Sequence, residues 1–233
     1  MEVTKKSINL IELNGVSKIF GDRKSGFCAL NKIYLTIQNG DFIAIQGPSG
    51  CGKSTLLSIL GLLDTASEGQ YILCGQRVDN LTKYQQAILR NKHIGWIFQN
   101  FNLIGDLTVE ENIKLPLKYH DSIAKSDYFN LVKEALEKVG LDDKLNSYPT
   151  ELSGGQQQRV AIARAIVTKP DILIADEPTG NLDSTNAESV FNLLESLNNA
   201  GSTVLIVTHD SHIAKRCKRI LNMKDGCLVD MGL

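Results

Sequence analysis

The chain has 233 residues, 22% of them charged, and a formal net charge of −1. That balance argues against a dedicated nucleic-acid binder, whose surface carries a basic excess. Five cysteines, odd in number and without paired spacing, exclude a disulfide framework or a zinc pattern and read as reduced thiols of a cytoplasmic protein, Cys28, Cys74, Cys217 and Cys227 among them as inert. The length implies one large or two intimate domains. Met1 to Leu10 lacks the apolar core of a signal peptide, and no run approaches the ~18 apolar residues that span a bilayer.

In chain order, Ile8 to Phe20 mixes apolar residues with turn formers and suits edge strands. Leu30 to Gln38 alternates apolar and polar, a strand with one wet face. Asn39-Gly40-Asp41 then turns the chain into Phe42-Ile43-Ala44-Ile45, a short buried strand. Directly after it stands Gly47-Pro48-Ser49-Gly50-Cys51-Gly52-Lys53-Ser54-Thr55, which fits the phosphate-binding loop G-x-x-x-x-G-K-[ST]. Leu56, Leu57, Ile59, Leu60 and Leu63 follow at the spacing of a helix face. Strand, glycine loop and helix together aim backbone N–H groups and a helix N-terminus at a phosphate. Lys53 is placed to reach the β- and γ-phosphates of a nucleotide, and Ser54 to hold Mg²⁺.

Glu68 to Val78 reads as a hairpin turning at Cys74-Gly75. The middle of the chain, about Leu81 to Ser147, carries helical periodicity in Leu81, Tyr84 and Ile88 and again in Leu131, Val132, Ala135, Leu136 and Val139, stopped by Gly140. Between these lie a strand-like run, Ile94 to Gln99, and Pro116, expected to end or kink the Val109 to Leu115 helix. An inserted helical subdomain is expected, about 99–159, within a core and β subdomain formed by about 1–98 and 160–233. From Ser153 the pattern alternates: a helix from Gln156 to Thr168, a strand from Asp171 to Ala175, a helix from Asn186 to Asn198, a strand from Thr203 to Val207. Such alternation implies an α/β fold with a parallel sheet, whose ligands sit at the carboxyl ends of the strands.

The chemical residues fall at those ends. Asp176-Glu177 follows an apolar strand, placing Asp176 to complete a Mg²⁺ shell and Glu177 to polarise the water that attacks a γ-phosphate. Leu152-Ser153-Gly154-Gly155-Gln156 opens a helix with a capping serine and two glycines that permit close backbone approach. By itself it reads as an ordinary helix cap. The cluster Lys215, Arg216, Lys218 and Arg219 reads as a solvated helix face, since no aromatic platform accompanies it.

With the phosphate loop, Leu152 to Gln156 continuing into Gln157-Gln158-Arg159-Val160-Ala161, the strand Ile172 to Glu177, Gly180-Asn181-Leu182-Asp183 and His209 in this order, nearly the whole chain resembles the ATPase subunits of ATP-binding-cassette (ABC) transporters. The resemblance implies a P-loop ATPase with an antiparallel β subdomain and an inserted helical subdomain, working on ATP with Mg²⁺. It implies a homodimer in which ATP lies between the phosphate loop of one copy and Ser153, Gly154, Gly155 and Gln156 of the other, with Ser153 and Gly155 on the γ-phosphate. Gln99 matches the glutamine that contacts Mg²⁺ and the water and links to the helical subdomain. Asp183 matches a residue at the dimer interface, His209 a histidine on the γ-phosphate, and Phe20 the aromatic that stacks on adenine.

Leu62-Leu63-Asp64, Gln99 to Leu103, Glu111 to Leu117, Gly180 to Ser184 with Asn186 to Phe191, Ile213 to Arg216 and Met223 to Gly226 resemble the branch holding lipoprotein-releasing and macrolide-exporting ATPases, the last two stretches looking closest to the former. Ala66 departs from the proline usual there. The implied partner is an integral-membrane permease, with the ATPase peripheral on the cytoplasmic face. A regulatory ABC ATPase of the cell-division type is the alternative. Soluble ABC ATPases of DNA repair, which carry long coiled coils, and of translation, which usually carry two cassettes, are disfavoured by one cassette with neither addition.

Overall fold

The computed structural model describes residues 9–21 and 26–230. Met1 to Ile8, which hold the expected start of the first strand and most of the stretch read for a signal peptide, lie outside them. Among the described residues two sheets and seven α-helices form around the phosphate loop.

The larger sheet is built from the most apolar segments of the chain. Its strands β3 (Phe42–Gln46), β6 (Ile94–Ile97), β7 (Ile172–Asp176), β8 (Thr203–Val207) and β9 (Arg219–Lys224) run parallel, and β10 (Cys227–Asp230) closes one edge antiparallel, in the order β10-β9-β3-β8-β7-β6. Strands buried on both faces carry no polar alternation, and β3, β7 and β8 are buried along nearly their full length. Their period of two still sorts the side chains. Phe42, Ala44, Leu173, Ala175, Val204 and Ile206 point into one core; Ile43, Ile45, Ile172, Ile174, Leu205 and Val207 point into the other.

The first core is covered by α3 (Val109–Lys118), α4 (Tyr128–Val139), α5 (Gly154–Ile166) and α6 (Ser184–Asn199). The second is covered by α1 (Lys53–Leu60) and the antiparallel sheet, whose strands β1 (Asn9–Phe20), β2 (Phe27–Gln38), β4 (Glu68–Leu73) and β5 (Gln76–Arg77) are ordered β2-β1-β4-β5. The remaining helices are α2 (Lys83–His93) and α7 (Ser211–Arg216).

Local expectations are mostly met, with physical reasons where they are not. The segment read as edge strands is β1, and it is central, paired with β2 on one side and β4 on the other. Its turn formers Asn14 and Gly15 fall at register breaks rather than ending it. Leu63 does not lie on the α1 face. That helix stops at Leu60, a Cβ on Gly61 would lie 2.0 Å from the Trp96 ring, and Leu63 is 51% exposed past the turn. Pro116 neither ends nor shortens α3, which continues to Lys118. Its own carbonyl and the next also accept side-chain bonds from other elements, Asn91 Nδ2 donating to Pro116 O at 3.0 Å and Tyr128 Oη to Leu117 O at 2.7 Å. Helix α5 crosses the expected boundary at 159/160 unbroken, because its residues Val160 to Ala163 are fully buried. The basic cluster is not a free patch: Arg216 binds Glu188, Asn192 and Glu195, and Arg219 donates to Thr36 O.

Candidate functional site

The site gathers at the carboxyl ends of β3, β7 and β8. The loop after β3 is closed by steric need. A Cβ on Gly47 would sit 2.2 Å from Met223 O, and one on Gly52, the left-handed cap of α1 at φ 104°, would sit 2.5 Å from Ala29 O. Both positions exclude any larger residue. Cys51 is buried behind the loop, its Sγ 2.8 Å from where a Gly47 Cβ would stand. The Lys53 ammonium folds back over the loop and donates to Gly47 O and Pro48 O, both at 2.8 Å. Ser54 is exposed in the first turn of α1, beside Thr55.

Asp176 ends β7, two strands from the loop. Burial pushes its carboxyl above the usual carboxylate range, the neighbouring Glu177 adds to this, and Lys53 opposes it. Its carboxylate is an oxygen ligand of the kind that hard divalent cations take. Glu177 takes a left-handed backbone (φ 46°), its N–H donating to Val207 O at 3.0 Å. This conformation costs a non-glycine residue of order 1 kcal/mol and turns the carboxylate over the end of β8. There it meets His209, with Oε2 3.0 Å from Nδ1 and 3.4 Å from the backbone N.

Gln99 follows β6, and its Nε2 donates to Asn181 Oδ1 at 3.2 Å while Asn181 Nδ2 returns to Gln99 O at 3.2 Å. A Cβ on Gly180 would stand 2.8 Å from Gln99 Nε2, so the loop before Asp183 wraps the glutamine closely. Asn181 lies within the quoted Gly180-Asn181-Leu182-Asp183 stretch, but sequence reading gave it no role, because nothing along the chain shows that its amide meets Gln99.

Ser153, Gly154, Gly155 and Gln156 form the N-terminus of α5 as a capping box: Ser153 Oγ accepts from Gln156 N, and Gln156 Oε1 accepts from Ser153 N. Ser153 and Gly154 are exposed. Gly155 is buried, and a Cβ there would lie 2.2 Å from Asn186 Oδ1, so packing on α6 already requires this glycine. Asp183 caps α6, and the Asn186 backbone and side-chain N–H bonds hold its carboxyl below the usual range. Phe20 is 46% exposed, with the Lys18 ammonium 5.0 Å from its ring centroid. The structure therefore brings the phosphate loop, Asp176, Glu177 and His209 to one edge. It holds Gln99 to the loop before Asp183, and leaves Ser153 and Gly154 facing outward.

This arrangement is that of a P-loop nucleotide-binding protein with its acidic strand end two strands from the loop. Residues 30–180 match the family described as ABC transporter. The chain is 44% identical to the lipoprotein-releasing system ATP-binding protein LolD of Francisella tularensis, over 93% of this chain and 94% of that one. It is also 44% identical to the macrolide export ATP-binding/permease protein MacB of Mannheimia succiniciproducens over 96% of its own length, and spans 34% of MacB. The ATP-binding cassette MJ0796, solved as a dimer in a post-hydrolysis state with ADP and Pi, superposes with a TM-score of 0.83 at 39% identity, over 95% of this chain and 98% of that one. The chain belongs to the ABC transporter family, as an ATP-binding cassette with the P-loop fold.

Proposed function

We propose that this chain binds and hydrolyses Mg²⁺-ATP and dimerises on it to work a separate integral-membrane permease, in lipoprotein release or a mechanically similar peptide or drug export. The observation that carries the reading is the Glu177–His209 pair beside Asp176, at the edge facing Lys53.

The loop N–H groups and the α1 N-terminus hold the phosphates, and Lys53 exchanges its two carbonyl partners for charged phosphate oxygens. Ser54, Gln99 and Asp176 are the residues that would hold Mg²⁺, which when bound neutralises charge developing on the phosphates. Glu177 accepts the proton of the water attacking the γ-phosphorus as the bond to the bridging oxygen breaks. His209 orients that carboxylate through its 3.0 Å contact. Phe20 offers a π-face to adenine, and the outward-facing Ser153 and Gly154 with Gly155 and Gln156 meet the γ-phosphate of a second copy, Asp183 lying at that interface. The dimeric MJ0796 cassette and the LolD and MacB relatives support dimer and permease.

A cleft of about 730 Å³ between α2, β6, α3 and α5 is the surface we assign to the permease. Trp96 and Phe98 stack there at 5.2 Å, with Tyr84 and Tyr119 exposed at its rim. Phe98, which lines the cleft, directly precedes Gln99 in the chain. Among the described residues no helix is long and apolar enough to cross a membrane; in this reading the chain sits peripherally on the cytoplasmic face through the permease.

The test is a pull-down of the tagged protein from detergent-solubilised membranes, the bound chains being identified. A permease with a large extracytoplasmic domain supports the reading. Recovery of cell-division proteins alone assigns a regulatory output instead. Two variants check the chemistry. Lys53→Ala is expected to weaken ATP binding at least tenfold by titration, with the fold kept. Asp176→Asn is expected to raise the melting temperature without nucleotide at pH 7. A carboxyl raised in the folded state binds more protons folded than unfolded, so its ionisation destabilises the fold above its folded pKa. The gain shrinks as pH falls through the raised value and vanishes below the ordinary value of 3.8. A lower melting temperature at pH 7 contradicts the raised pKa.

A further inference from the structure

Away from the nucleotide edge, at the opposite end of the parallel sheet, three ligand-type side chains converge. His93 is the last residue of α2 and Asp171 immediately precedes β7. The strands that follow them pair in register, Ile94 with Ile172, so the two residues stand side by side. Cys74 reaches them from the β4–β5 turn. His93 Nδ1 lies 2.6 Å from Asp171 Oδ2 and 3.5 Å from Cys74 Sγ, and the three ligand atoms lie within 4.8 Å of one another. Strand β7 separates this cluster from Asp176 by about 16 Å.

We propose that Cys74, His93 and Asp171 form a binding site for a borderline-soft divalent cation of the zinc class, with water completing the shell. A tetrahedral zinc with Zn–S of about 2.3 Å and Zn–N of about 2.0 Å sets sulfur and nitrogen about 3.5 Å apart, the separation already present. The imidazole–carboxylate pair opens from 2.6 Å to about 3.3 Å, a side-chain rotation at the exposed Asp171. One thiolate, one imidazole and one carboxylate select against Mg²⁺, which takes oxygen ligands.

Binding displaces the Cys74 thiol proton to solvent. Cys74 also holds φ 50°, followed by Gly75 at φ 77°, a turn in which asparagine or glycine is the unstrained choice at the first position. The site ties the antiparallel sheet, α2 and the start of β7 together.

The probe is Co²⁺ added to the reduced, nucleotide-free protein, read by thiolate-to-cobalt absorption, with Zn²⁺ competition for affinity. One Co²⁺ per chain is expected, displaced by Zn²⁺ and unaffected by a tenfold excess of Mg²⁺. Cys74→Ser is expected to abolish the absorption, and His93→Gln to weaken binding at least tenfold, both keeping the circular dichroism of the wild type. Zn²⁺ raises the melting temperature of the wild type and not of Cys74→Ser. Absorption that survives in Cys74→Ser locates the metal at another thiol and overturns the proposal. So does displacement by Mg²⁺, or no thiolate band at tenfold excess Co²⁺. The sequence spacing excludes a zinc pattern, and the fold places an unpatterned one.

Discussion

Glu177→Gln lowers steady-state ATP hydrolysis by about 10²–10³-fold, the scale of a lost general base, while ATP affinity stays within a factor of about three. The amide keeps the size of the side chain and a hydrogen bond to His209, so the left-handed turn at Glu177 survives. It cannot take the proton of the attacking water. With binding intact and turnover stopped, the ATP-bound dimer accumulates and is read as a shift to double mass on size exclusion with ATP. A variant that hydrolyses near the wild-type rate removes Glu177 from the mechanism. A variant that loses both activities together reports a folding defect, which circular dichroism distinguishes. His209→Ala is milder in this reading, because it removes the positioning contact and leaves the base.

Asn112→Ala destabilises the fold by about 2–4 kcal/mol, read as a lower urea midpoint with unchanged slope. Asn112 is fully buried in α3. Its Oδ1 accepts from Ile104 N at 2.8 Å, and its Nδ2 donates to Ile104 O, Leu107 O and Thr108 O at 3.0–3.1 Å. Truncation leaves Ile104 N and Leu107 O without their side-chain partner, while Ile104 O keeps the Leu107 N–H and Thr108 O keeps the backbone N–H of position 112; losing a partner costs more than the net worth of the bonds. The segment so anchored follows Gln99, and Arg164 fixes its other end through Phe101 O and Asn102 O. The same variant should therefore loosen coupling between Gln99 and the helical subdomain. A midpoint equal to that of the wild type refutes the anchoring role.

The phosphate loop was legible because its requirements are local. Gly52 needs a left-handed backbone, Lys53 must follow it, and the flanking strand and helix show in a few apolar residues on either side. Asp176, Glu177 and His209 were legible for a related reason: in a parallel sheet every strand end faces the same edge, so knowing where the strands stop places the residues. The helix cap at Ser153 is likewise decided within four residues of sequence.

What only the tertiary structure decided depends on neighbours distant in the chain. Whether β1 is an edge or a centre depends on which side β4 returns, and no pattern within β1 records that. Around Pro116, Asn91 and Tyr128 arrive from other elements to bind the last-turn carbonyls of α3, and nothing within that helix's sequence records them. The pairing of Gln99 with Asn181 spans 82 positions, and the meeting of Cys74 and His93 with Asp171 spans three elements. Sequence determines which residues are capable of phosphate, proton or metal chemistry. Topology determines which of them meet, because register and sheet order, rather than spacing along the chain, set the distances at which that chemistry acts.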